Sequence, residues 1–571
     1  MVYVRQLLTI AAIGSSCRFT AALNQIAGVP APATNLRTEH ASRPLTVDVD
    51  RPRFSWQLPQ DGARGQRQTS FRLTVTDVRS GILLWDSQRV VTSNSHAIYA
   101  GSASLQSDTD YSWNVTWADK MGRLSQPASS SFSTALLWPS DWHGAAWISS
   151  TGGGELNLYR TTLSLRGIVP VRARLYISAL GYYKATIDGV LTDSHLLGPQ
   201  STFEKRVLYD VWDVTEHLRS NATCRTLGVA VGHGWGSSSH NSAGHVVWDR
   251  QFIALLSLTL SDGSRRYFPS SLGVPSRPSS LLSFSVGAGP VMNDDIFSGE
   301  AFDGRRAAAL SGWDTCRPPA VVHTWVQAQR PRDTPASHGA SLSAHTTQTV
   351  IVRNYYVDQA AISEPLPGSF VFDFGQNMAG LVTLQVRGCS AGTVIRLKFG
   401  EIRWATNGTV HNQFPGGDRP GGMARMLANY TCAGSSDTET YTPYFTSFGF
   451  QFCQIEGYPG VPTTHTLVAH AIGPNFTKAG SFTSSNAVLN AIQHATVASA
   501  QANWANDVPT DCPHRCVCPS VDSPTMFLPC HSQSGESLHF TVRAGSGEAT
   551  WVMGNMPWKL WRAISMLCKA T

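Results

Sequence analysis

Charge is scarce in this sequence. Only 14% of its 571 residues are Asp, Glu, Lys or Arg, against roughly a quarter in ordinary soluble domains, which argues against a coiled coil or a charged disordered chain. No run of lysine or arginine occurs, and the formal net charge of +6 is small for this length. Without a basic stripe to track phosphates, nucleic acid is not an expected partner. Beyond the N-terminus, no stretch approaches the roughly 18–20 apolar residues of a membrane helix, so no membrane partner is expected. Cysteine is thin as well, 11 in all, and five of these (Cys512, Cys516, Cys518, Cys530, Cys568) fall near the C-terminus. Their spacing, with His514 among them, matches none of the usual paired zinc arrangements, so neither metal nor cofactor is expected.

What is abundant points to β-structure. Hydrophobic residues make up 42%, with 49 glycines, 31 prolines and 17 tryptophans, the composition of a turn-rich, aromatic, globular chain. Its length is too great for one core and predicts three or four domains. Residues 1–22 read as a secretory signal: Arg5 in a short basic start, an apolar run Leu7–Ile13, then small residues to Ala22. Five Asn-x-Ser/Thr sequons, at Asn114, Asn221, Asn407, Asn429 and Asn475, are glycan acceptors in a secreted protein. A secreted, extracellular glycoprotein is the expectation.

Along residues 35–135, Phe71-Arg-Leu-Thr-Val-Thr76 and Tyr111-Ser-Trp-Asn-Val-Thr-Trp117 alternate apolar and polar positions, the pattern of half-buried strands in a fibronectin-like sandwich. Residues 146–310 continue with short strands, an Asp188-Gly189 turn and a glycine-rich end at Gly232–Trp235, which describe a jelly roll. The polar stretch 330–347 reads as a loop or linker. A third sandwich is expected over 348–475, opened by Phe370-Val-Phe-Asp-Phe-Gly-Gln-Asn377. After Gly480 the period changes. Val488, Leu489, Ile492, Ala495 and Ala498 recur at three- and four-residue spacing, predicting a helix from near Ala487 to about Asn503, capped by Ser484, Ser485 or Asn486.

Past that helix lies Val508-Pro-Thr-Asp-Cys-Pro513, with Arg515 close behind. Taken with Pro52–Trp56, Leu180–Tyr183, Tyr209–Thr215, Gly234-Trp235 and Asp373–Asn377, it resembles the inverting α-L-rhamnosidases of glycoside hydrolase family 78. The resemblance spans roughly 35–515 and implies a mainly β chain: tandem β-sandwich and jelly-roll domains, then an (α/α)6 catalytic barrel. By that resemblance 478–571 is the start of the barrel, with its first helix and an irregular tail. The implied activity is removal of terminal α-L-rhamnose from rhamnose-containing glycosides or polysaccharides, without a cofactor.

Inverting hydrolysis needs one carboxylic acid to protonate the leaving oxygen and a carboxylate to activate water, about 6.5–9.5 Å apart. The resemblance makes Asp511 a sugar-holding aspartate and Arg515 its neighbour, although Asp511 alone also fits a plain turn residue before proline. The general-acid glutamate would fall on Cys516 or Val517, and neither can serve. Further on, Glu548, Trp551, Gly554 and Asn555 echo the displaced remainder of the motif, so 516–547 reads as an insertion such as translated intron and Glu548 as a displaced acid. The general base is expected beyond this chain, which is then truncated and impaired in turnover. A non-catalytic secreted carbohydrate-binding protein, or a structural sandwich protein without sugar specificity, are the competing readings.

Overall fold

The computed structural model describes residues 29–504, except 61–64, 151–155, 166, 221–223, 237–246, 273–280, 297, 319–324, 348, 357–360, 413, 416–422 and 477, together with the backbone of 538–544 and 547–553. Its contacts divide the chain into two units, Met1–Trp142 and His143–Thr571.

In the first unit, the strand Asp110–Ala118 shows how sequence makes the sandwich. Tyr111, Trp113, Val115 and Trp117 point inward and are fully buried, while Ser112, Asn114 and Thr116 stay half-buried on the other face. It pairs antiparallel with Ser70–Asp77 on one side and Ala128–Ser133 on the other. A second sheet of Thr34–Thr38, Arg53–Gln57 and His96–Ile98 faces it. Phe54 from that sheet meets Trp113 with ring centroids 4.9 Å apart, and Trp56 satisfies its buried indole N–H on Gln68 Oε1 at 2.9 Å, as a buried tryptophan must.

The second unit opens with another sandwich. One sheet runs through Tyr183–Ile187, Cys224–Val231, Leu156–Ser164 and Ser285–Ala288; the other through Arg265–Ser271, Gln251–Thr259, Arg172–Ala179 and Arg206–Asp213. Gln251–Thr259 is buried at every position, which is why its sequence is a near-continuous apolar run instead of an alternation. The stretch 330–347 is not a bare linker. Pro335–His338 forms a 3-10 turn closed by a Thr334/Ser337 capping box, and Ser341–Ala344 adds a parallel strand beside Arg206–Asp213. Four short residues without a strong period hid that strand from sequence reasoning.

The third sandwich is built on the 18-residue strand Ser369–Val386, paired with Phe448–Glu456, Leu467–Pro474, Ala361–Leu366 and Glu439–Tyr441. Two strands from the stretch expected to belong to the jelly roll, Val291–Asp295 and Gly299–Asp303, join this sheet instead. Gly299–Asp303 runs parallel to Leu427–Thr431, so the second and third sandwiches share chain as well as contact. Gly299 makes the junction feasible: its φ is +87°, and a Cβ there would overlap the Leu427 carbonyl.

Two disulfides brace these modules. Cys224–Cys316 ties a strand of the second sandwich to the segment after Ala309, and Cys389–Cys432 closes a loop of the third. Cys453 is a buried free thiol. The predicted helix is present as Ala487–Asn503, capped by Asn486, whose Oδ1 accepts from Val488 N at 2.9 Å and Leu489 N at 3.3 Å. Ala502 joins the third core, and Arg353 Nη2 binds both Gln501 O at 2.8 Å and Ile472 O at 2.9 Å. The apolar positions Val488, Leu489 and Val497 are exposed. No helix is long and apolar enough to cross a membrane among the described residues.

Two stability outcomes follow from these contacts. Gly299→Ala should destabilise the second unit by about 3 kcal/mol or more, because both the backbone angle and the Leu427 carbonyl oppose a side chain. Replacing Cys389 and Cys432 by serine should remove about 2–4 kcal/mol, the typical worth of one closed loop. Calorimetric unfolding of each variant measures both.

Candidate functional site

The motif segments of the second sandwich converge on a buried polar network. Tyr183 ends its reach at Asp210, donating its hydroxyl to Oδ2 at 2.6 Å while accepting from Trp212 Nε1 at 2.9 Å. The other Asp210 oxygen meets His345 Nδ1 at 2.7 Å. His195 stacks on Trp212 at 5.1 Å and hydrogen-bonds Asp193. Burial works to raise the Asp210 carboxyl, but His345, His195 and Tyr183 together hold it below its usual range. For His195 burial works downward and the Asp193 carboxylate overcomes it, raising the imidazole. Both oxygens of Asp210 are engaged, so this network orders strand ends instead of offering a reactive carboxylate.

Glu300 has the acidity a general acid needs and the wrong surroundings. Burial pushes its carboxyl up to about 7, helped by the Asp294 charge and opposed by hydrogen bonds from Phe445 N, Tyr444 N and the Tyr441 hydroxyl. Those bonds are 2.9–3.0 Å long, and only 3% of the residue is exposed. Lys184 of the second sandwich lies over the Tyr444 ring, 4.7 Å from its centroid. This is a clasp between sandwiches, closed to a substrate.

A more open arrangement lies on the third sandwich. Against Phe448–Glu456, the long strand pairs Asp373 with Phe452 and then Met378 with Phe450. The intervening bulge is the Asp373-Phe-Gly-Gln-Asn377 motif, turned by Gly375 at φ +75°. Asp373 Oδ1 accepts from Gly375 N at 2.8 Å and Gln451 Nε2 at 2.9 Å. Asn377 Nδ2 donates to Glu401 Oε1 at 2.5 Å, and its buried Oδ1 has no hydrogen-bond partner among the described residues. Beside them runs a groove of about 570 Å3 lined by Glu401, Arg403, Trp404, Gly408, Gln451 and Phe452. Arg403 stacks over Phe452 at 5.2 Å, and Trp404 is 49% exposed. A planar aromatic face next to carboxylate, amide and guanidinium groups has the chemistry to hold a polyhydroxylated ring.

Of the sequence-predicted site residues, Asp511 and Arg515 lie outside the described residues. Glu548 has only its backbone described: it opposes Arg543 in the hairpin of Leu538–Ala544 and Gly547–Met553. Sequence reasoning singled out the Asp373–Asn377 motif but missed Glu401, Arg403, Trp404 and Gln451 as its neighbours. The one signal was Glu401 directly after a strand; nothing in the local pattern marks Trp404. Among the described residues no group of three His, Cys, Asp or Glu is arranged to hold a metal ion.

An immunoglobulin-like sandwich, a jelly roll and a larger sandwich, followed by a helix, define a multidomain, mainly β protein. Residues 33–138 match the Rha78A-like N-terminal immunoglobulin domain, 169–353 the α-L-rhamnosidase N-terminal domain and 364–473 the bacterial α-L-rhamnosidase concanavalin-like domain. An α-L-rhamnosidase of Formosa agariphila is 26% identical over 84% of this chain and 51% of its own length. One from Streptomyces avermitilis is 30% identical over 66% of this chain and 35% of its own. The α-L-rhamnosidase structure from Dictyoglumus thermophilum superposes with a TM-score of 0.73 at 26% identity, covering 84% of this chain and 53% of that one. The native enzyme from Aspergillus terreus gives 0.72 at 25%, covering 85% and 54%. The chain is an α-L-rhamnosidase-like protein of glycoside hydrolase family 78. It spans about half the length of the Formosa relative and about a third of the Streptomyces one.

The Glu300 clasp has a pH signature. Its folded pKa lies above the unfolded value of 4.5, so its contribution is whole below about pH 4.5 and fades as pH rises to about 7. The second unit should therefore lose stability on the order of 3 kcal/mol from this group between pH 4.5 and 8. Glu300→Gln should flatten that slope whatever its effect on absolute stability, as read by thermal melts across this range.

Proposed function

We propose that this chain carries the β-sandwich portion and the opening of the catalytic domain of an α-L-rhamnosidase acting on terminal α-L-rhamnose in glycosides or polysaccharides. The observation that carries this reading is the order of parts. Three sandwiches matching rhamnosidase modules lead into a helix whose last turn is anchored on the third core, and Asp511 follows a few residues on.

The family resemblance suggests the roles. Asp511 holds the sugar hydroxyls with Arg515 as its neighbour, Glu548 stands in as a displaced acid, and inversion needs a second carboxylate to activate water on the opposite face of the ring. Cys516 and Val517, where the proton donor belongs, leave turnover impaired. Secretion is supported by the two disulfides, since such bonds form and persist in oxidising compartments.

The test is release of L-rhamnose from an aryl α-L-rhamnoside by the purified chain. Loss of a positioned general acid slows such a reaction by roughly 100- to 10,000-fold, and a rate reduced to that degree against a full-length family member is the expected outcome. Turnover at the full rate would overturn the impairment. Saturable rhamnoside binding with no release at all would favour a non-catalytic carbohydrate-binding protein, the reading that Cys516 and Val517 also suit.

A further inference from the structure

The groove on the third sandwich has an unusual neighbour in the chain itself. Ile402–Arg403 pairs with Val410–His411, and the connecting loop is the six residues Trp404-Ala-Thr-Asn-Gly-Thr409. Trp404 N donates to Thr409 O at 2.8 Å and Gly408 N to Trp404 O at 2.8 Å, with Gly408 at φ +72°. The tip of this hairpin is the sequon Asn407-Gly-Thr409, three residues beyond the exposed tryptophan.

The other sequons are placed less favourably. Asn114 lies within a strand paired on both sides, its Oδ1 taken by Ser129. Asn429 is likewise inside a sheet, with a buried side-chain oxygen. Asn475 is exposed directly after Pro474 at a strand end, and Asn221 lies outside the described residues. Asn407 alone among those described combines exposure, a tight turn and an aromatic face beside it. Its Oδ1 accepts from Thr409 N at 3.1 Å and Thr409 Oγ1 at 2.7 Å, so both of these bonds use the oxygen and neither uses Nδ2, the atom a glycan takes.

We infer that Asn407 is an N-glycosylation site whose first sugar rings lie on Trp404 and fill the Glu401–Phe452 groove. The inference rests on the secretory reading. In the transfer, Asn407 Nδ2 loses a proton and bonds to the anomeric carbon of a lipid-pyrophosphate-linked oligosaccharide, whose pyrophosphate leaves with the electrons of the broken C–O bond. The ring's C–H face then covers the exposed part of the indole, which packs T-shaped against His411 with ring centroids 4.2 Å apart. Arg403 and Glu401 supply polar partners for its hydroxyl and acetamido groups. The groove is thereby occupied by the chain's own sugar and is not a site for free rhamnoside.

The experiment uses the full chain secreted from yeast behind a heterologous leader, so that failure of residues 1–22 as a signal leaves it unaffected. Amidase removal of glycans in heavy-oxygen water, followed by peptide mass mapping, reads each sequon. Asn407 should be the most fully occupied, and amidase treatment should lower the melting temperature by about 2–4 °C. In Trp404→Ala the glycan should remain while that difference disappears; Thr409→Ala should lose the glycan and melt like the treated parent. An unmodified Asn407 beside a modified Asn475 overturns the inference, as does a melting difference that survives Trp404→Ala. Tryptophan quenching of the treated chain by methyl α-L-rhamnoside, abolished by Trp404→Ala, would give the groove to a free saccharide and overturn it too.

Discussion

The placement of one carboxyl governs the second unit. Glu300 stands on a strand that leaves the second sandwich and enters the sheet of the third, where it collects donors from Tyr441, Tyr444 and Phe445. Burying a carboxyl is unfavourable unless its lone pairs are met, so Tyr441, the 444–445 backbone and strand Gly299–Asp303 must take their positions together. Lys184 and the Tyr444 ring bring the edge of the second sandwich to the same point. Gly299, with no room for a Cβ, lets the strand pass. The two sandwiches are therefore one cooperative body, and the bulge at Asp373–Asn377 inherits its rigidity from that body.

Rigidity of this kind is what a sugar-facing surface needs. The side chains of Asn377, Glu401 and Gln451 come from three different strands or strand ends, and each is fixed by a partner before any ligand arrives. The buried oxygen of Asn377 is the part left over. The tyrosine, histidine and aspartate chain around Asp210 does the same for the strand ends of the second sandwich. Its polar groups are spent on internal order, while the groove keeps exposed indole and guanidinium faces outward.

Much of the fold was legible because it rests on local periodicity. Alternation in Tyr111–Trp117 predicted the buried aromatic face found there, and the three- and four-residue spacing after Gly480 predicted a helix that spans Ala487–Asn503. What escaped depended on pairing between distant segments. Ser341–Ala344 has too few residues to show a period, and nothing in Val291–Asp303 announces which sheet its backbone will join. The cysteines at 224, 316, 389 and 432 pair across 92 and 43 residues, a matching that spacing alone cannot specify. The groove was hidden for the same reason: its members are neighbours only after the bulge and a hairpin bring them together. The motif at Asp511–Arg515 was the reverse case, recognisable as sequence and outside the described residues.

The shared strand also sets a timetable for synthesis. Gly299–Asp303 emerges from the ribosome before its partner Leu427–Thr431, and about 120 residues of translation separate the two, roughly 6–24 s at ordinary elongation rates. Throughout that interval the hairpin of Val291–Asp295 and Gly299–Asp303 has an open edge carrying a carboxyl that no donor yet meets. A charged, hydrated Glu300 is unattractive to a neighbouring chain's strand edge, so the group that later locks the two sandwiches first serves to keep nascent chains apart.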